Sequence, residues 1–74
     1  MTRLPRIGGK EVVAALKRAG FVVVNIEGSH YQLYRPGKGL VTVPVHAKET
    51  LPPKTLKSIL RQAGLTVEEL IELL

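Results

Sequence analysis

Pro36-Gly37-Lys38-Gly39 is the strongest turn signal in the chain, and it lies between two runs that alternate with the period of a strand, His30 to Arg35 and Leu40 to Val45. Antiparallel neighbours can be joined by so short a connection, whereas a parallel pair needs a crossover of a dozen or more residues. The segment therefore predicts a hairpin. Upstream, the β-branched run Phe21 to Ile26 reads as another strand, with Glu27-Gly28-Ser29 as a tight connection into His30. Pro44 cannot donate a ladder hydrogen bond, so the third strand is expected to be an edge strand or to end there.

The flanks have the helical period. Val12, Val13, Leu16 and Ala19 share one side of a helix over Lys10 to Ala19, with Glu11, Lys17 and Arg18 on the other. Gly20 suits the left-handed residue that closes it, and Phe21 can fold back on the last turn. After a loop through Pro52-Pro53, Thr55 is expected to cap a helix carrying Leu56, Ile59, Leu60 and Ala63 and ending at Gly64. Thr66 with Glu69 is a capping-box pattern that opens a short acidic helix through Leu70, Ile71 and Leu74. The order α, β, β, β, α, α predicts an α+β fold, a three-stranded antiparallel sheet with helices on one face and the other face open. Leu16, Phe21, Leu33, Ile59 and Leu60 are the expected core. Residues 1–74 are the length of one small domain, which buries only about 60% of its unfolded surface.

Charge and composition narrow the chemistry. Eleven Lys and Arg against six Asp and Glu give a net charge of +5, which favours a polyanion or an acidic protein as partner but equally describes a surface of solvated lysines. With 45% hydrophobic residues the chain has the apolar content to fold. There is no cysteine, hence no disulfide and no thiolate metal site. No apolar run approaches the roughly 20 residues that span a bilayer, and Met1 to Lys10 lacks the apolar centre of a signal peptide, so a cytoplasmic protein without a membrane partner is expected.

Alternation sends Tyr31, Leu33 and Arg35 to one side of the second strand and His30, Gln32 and Tyr34 to the other. If Leu33 faces the helices, His30, Gln32 and Tyr34 stand together on the open face, offering an imidazole, an amide and a phenol to a ligand. The residues alone leave His30 two roles, a surface polar side chain bonded to its turn, which is the commoner case, or a reactive imidazole. His46 follows a strand-ending proline and reads as an imidazole bonded to nearby backbone. Zinc takes at least three protein ligands, and two histidines without an acidic cluster do not supply them, so no metal or other cofactor is expected. No acid stands where it would orient either histidine in a triad. Arg35 and Lys38, and across the domain Lys54, Lys57 and Arg61, have the charge to track a phosphate backbone; for Lys57 and Arg61, spaced i to i+4, the outer face of an amphipathic helix is the better reading. The glycines around Lys38 do not lead from a strand into a helix and are turn residues, not a phosphate loop.

Three stretches, GGKEVVAALKRAGFVV, GSHYQLYRP and VTVPVHAKETLPPKTLKSILRQAGLT, together resemble the HicA family of bacterial toxins over nearly the whole chain. The resemblance implies a fold like a double-stranded-RNA-binding domain. It also implies a metal-independent endoribonuclease that cleaves mRNA, with His30 of Gly28-Ser29-His30 as the catalytic residue, and a HicB-like antitoxin as the partner that blocks it. Under that resemblance Gly28 and Ser29 help place the histidine and the phosphate, and Tyr34, Arg35 and Lys38 are candidate RNA contacts. Many relatives carry an aromatic three residues after the histidine, where this chain has Leu33, with tyrosines at 31 and 34. His46 is not taken as a second proton-transfer group. The alternatives to catalysis are a non-catalytic module for double-stranded RNA and an accessory subunit that regulates DNA through its partner.

Overall fold

A computed structural model of the chain describes residues 3–47 and 49–74. Its elements run α1 (Gly9–Arg18), β1 (Val22–Glu27), β2 (His30–Arg35), β3 (Gly39–Pro44), α2 (Pro53–Ala63) and α3 (Val67–Leu73). The sheet has the order β1-β2-β3 with both pairs antiparallel, as the two turn signals require. The expected order of elements and the α+β class are those observed.

Burial follows the two periods. Val12, Leu16, Phe21, Leu33, Val41, Val43, Leu56 and Ile59 are buried in one hydrophobic cluster between the sheet and α1 and α2, and all five expected core residues belong to it. α3 joins the same cluster through Leu70, and Arg18 Nη1 donates to the Leu73 carbonyl at 2.7 Å, which ties the ends of α1 and α3 together. The α3 cap forms as its pattern predicts: Glu69 N donates to Thr66 Oγ1 at 3.1 Å and Thr66 N to Glu69 Oε1 at 2.9 Å. The Thr66 hydrogen bonds, backbone first, hold the Glu69 carboxyl below its ordinary value.

Two local expectations are corrected. α2 starts at Pro53 with Pro52 as its N-cap residue, so Thr55 lies inside the first turn and does not cap it. The physical reason is that proline has the φ of a first helical turn and no N–H there to leave unsatisfied, so the Pro-Pro pair itself opens the helix. β1 contains a bulge between Val23 and Asn25, with Val24 exposed. Three successive valines carry no alternation from which that slip can be read.

The edge position of β3 explains Pro44. Val45 N donates to the Ser29 carbonyl at 2.6 Å, so the facing pair His30–Pro44 is one that exchanges no ladder bonds, and the Pro44 nitrogen points away from the sheet. Two residues earlier the outward N–H of Thr42 is taken by Gln62 Oε1 of α2 at 3.3 Å. Proline and a helix side chain together block that edge.

Candidate functional site

Gly28 has φ of 58°, and with Ser29 it forms the two-residue connection that makes Glu27 and His30 a facing pair. His30 is thereby the first residue of β2, exposed at the end of the sheet, with Pro44 facing it on its other side. Because Leu33 is fully buried against the helices, the alternate residues His30, Gln32 and Tyr34 occupy the opposite, open face, as their spacing predicts. Asn25 Nδ2 donates to Gln32 Oε1 at 3.2 Å, so the amide next to His30 is held by its neighbour on β1. Tyr34 is 42% exposed. Among the described residues the His30 side chain makes no hydrogen bond or ion pair, which leaves both ring nitrogens open to a ligand.

The other anticipated residues divide by position. Gly28 and Ser29 lie directly beside His30, and the Ser29 carbonyl is anchored by Val45. Arg35 and Lys38 do not join them. Arg35 ends β2, about 17 Å from His30 at the strand rise, and on the helix side its guanidinium lies against Gly20, where an added Cβ would meet Nε at 3.3 Å. Lys38 Nζ reaches the Gly64 carbonyl at 3.5 Å, at the C-terminus of α2, where a cation is favoured by the helix dipole. Tyr31 packs half-buried against the core on the helix side.

Glu27 is a residue the sequence reading passed over. The register sets it opposite His30, and cross-strand partners on one face have Cβ atoms about 5 Å apart. The signal was present in Glu-Gly-Ser-His, since a two-residue turn makes its flanking residues neighbours. No hydrogen bond joins the two side chains. The expectation for His46 is corrected: among the described residues its side chain bonds no backbone group, it is exposed, and its carbonyl accepts from Glu49 N at 3.3 Å.

His46 stands at the rim of a cleft of about 850 Å³ between α1 and the segment that follows β3. Arg6, Lys10 and Lys17 line it together with Tyr31 and Val45. A second cleft, about 980 Å³, lies between the N-terminal segment and the start of α2 and is lined by Arg3, Arg6 and Lys57. The two adjoin, sharing Arg6 and Thr50. They exist because the chain passes close to itself. A Cβ on Gly9 would overlap the Pro44 carbonyl oxygen, one on Gly8 would come within 2.7 Å of the Glu49 carbonyl oxygen, and Leu51 N donates to the Ile7 carbonyl at 2.8 Å. Among the described residues no three His, Asp or Glu side chains gather as a metal site would need, and no helix is long and apolar enough to cross a membrane.

Compared with protein-family models, residues 9–65, most of the chain and all of the sheet, match the one described as the HicA toxin of bacterial toxin-antitoxin systems. No curated protein matches the chain.

Proposed function

The chain belongs to the HicA toxin family, the toxin half of a pair that includes a cognate antitoxin, and from that premise we propose that it is an endoribonuclease cleaving mRNA at His30 without a metal. The observation that carries the reading is the exposed, unpartnered imidazole at the end of the open sheet face, beside the Gly28-Ser29 turn and in line with Gln32 and Tyr34. RNA brings its own nucleophile. A base removes the proton of a 2′-hydroxyl, the 2′-oxygen bonds to the adjacent phosphorus, the bond from phosphorus to the 5′-oxygen breaks, and that oxygen takes up a proton. The products are a 2′,3′-cyclic phosphate and a 5′-hydroxyl. Histidine serves either proton transfer near neutral pH because the unperturbed imidazole titrates near 6.5. His30 is that base or acid. Ser29 and the amides around Gly28 hold the phosphate against it, and Tyr34, two residues along the same face, offers a ring for a neighbouring base. Arg35 and Lys38, at the far end of the sheet, meet only phosphates remote from the cut. The partner is a HicB-like antitoxin that covers this face, and the pair acts in the cytoplasm.

His30→Ala tests the reading. An exposed imidazole contributes little packing, so its removal should change stability by less than about 1 kcal/mol while lowering the cleavage rate of a long single-stranded RNA by a factor of about 100 to 10,000. Cleavage by the parent protein should survive chelators. A His30→Ala protein that cuts at the parental rate would refute the assignment, and a parent that binds duplex RNA without cutting any RNA would make the protein a binding module.

A further inference from the structure

We propose that the two adjoining clefts form one groove that carries the phosphodiester backbone of single-stranded RNA away from His30. The inference rests on the ribonuclease reading and adds the path of the substrate. Its first support is charge. Lys17, Lys10, His46 and Arg6 line the first cleft, and Arg6, Arg3 and Lys57 continue along the second. Glu11 and Glu49 are the acids in these walls, and the Glu11 carboxylate is engaged, accepting from Gly8 N at 2.8 Å. The side chains of Arg6, Lys10 and Lys17 have no hydrogen-bond or ion-pair partner among the described residues, so their charge is available to a ligand. Lys10 and Lys17 lie two turns apart on one side of α1, about 10 Å along its axis, and form a row of cations along one wall.

The second support is continuity with the site. Val45 is hydrogen-bonded to Ser29, the residue before His30, and His46 follows it at the rim of the first cleft. A strand whose scissile phosphate meets His30 on the open face needs to pass only the end of β3 to enter the groove. The third is the floor. Tyr31 lines the first cleft, half-buried, and presents a ring on which an unstacked base can lie, a contact that a paired duplex does not offer. One flank of the substrate thus lies on Tyr34 and the open face, and the other runs over α1 toward Arg3 and Lys57.

The test uses a fluorescently labelled 2′-O-methyl oligouridine, which has no free 2′-hydroxyl and cannot be cut, bound to the full chain and followed by anisotropy at several salt concentrations. Contact of Lys10, Lys17, Arg3 and Arg6 with about four phosphates predicts a slope of log K on log salt near −3. Lys10→Gln with Lys17→Gln should reduce the steepness by about 1.4 and weaken binding roughly 25-fold at about 0.1 M salt. Arg3→Gln with Arg6→Gln should weaken it similarly, whereas the same charge removed at Lys54 and Arg61, which line neither cleft, should cost less than about threefold. Equal losses at all three pairs would mean diffuse attraction and overturn the groove, and a loss confined to the first pair would overturn its continuity. Groove variants that hold the oligonucleotide like the parent but lose a polyglutamate peptide would make it a protein-docking site instead. The two readings fail separately: parental cleavage with unaltered binding by the groove variants sinks the groove alone, and a parent that cuts no RNA while the groove variants lose binding sinks the ribonuclease alone.

Discussion

Gly9 opens α1, and by helix propensity alone Gly9→Ala should stabilise the chain by up to about 1 kcal/mol. Packing reverses the sign. The new methyl would overlap the Pro44 carbonyl oxygen and come within 2.9 Å of Val45 Cα, and neither is a side chain that can swing aside. Relief requires the start of α1 to move off the end of β3. Overpacking of this kind costs about 1–3 kcal/mol. The movement also strains the Leu51-to-Ile7 hydrogen bond and the Gly8–Thr50 bridge, each worth about 1 kcal/mol. Set against the propensity gain, the net loss is about 2–4 kcal/mol, from a total that for a domain of this size is only about 4–11 kcal/mol. Each kcal/mol lowers the melting temperature of so small a domain by about 4–8 °C, so a fall of about 8–32 °C is expected. Urea denaturation followed by circular dichroism reads the free energy directly. Gly28→Ala is the contrast: nothing lies within 4 Å of an added Cβ there, and only the left-handed backbone opposes it, at about 1–2 kcal/mol. A Gly9→Ala protein as stable as the parent would refute the close-approach argument.

Phe21 is 2% exposed among Leu16, Leu33 and their neighbours, and Phe21→Ala should cost about 3–5 kcal/mol in chemical denaturation; a loss below about 1 kcal/mol would show that the ring is not central to the core. The Glu69 cap should titrate. Its folded carboxyl lies below the ordinary value of 4.5, so the stabilisation is fully present above that pH and is lost as pH falls through and below it. Thermal melts of the parent and Glu69→Gln should therefore differ at neutral pH and converge in acid, and a difference that persists unchanged in acid would show that the carboxylate is not what the cap uses.

Much of the candidate site was legible because its rules are local. Period two separates His30, Gln32 and Tyr34 from Leu33 without reference to any other segment, and Gly28-Ser29 is a turn on its own chemistry. The Thr66–Glu69 cap and the five core residues are legible for the same reason, since side-chain periodicity and capping act within a few residues. Where no local signal distinguished the possibilities, reading stopped. Val22, Val23 and Val24 have equal claims to either face, so the bulge that sets Val23 opposite Leu33 was invisible. Pro52-Pro53 and Thr55 both carry helix-start chemistry, and only the packed helix shows the prolines prevailing.

The layer architecture, the turn that presents His30 and the side of the sheet on which it stands follow from local signals, because each depends on side-chain period and on backbone preferences at single residues. Tertiary structure decided what surrounds that histidine. It laid Arg35 and Lys38, already at the far end of β2 and in the turn after it, against Gly20 and Gly64, and it brought the N-terminal segment, α1, the segment after β3 and the start of α2 together around two clefts. That assembly depends on residues some forty positions apart meeting at Gly8 and Gly9, where the absence of a side chain lets one backbone lie directly on another. A glycine's conformational freedom is visible in a sequence, but the neighbour that needs its empty space is visible only once the chain has folded.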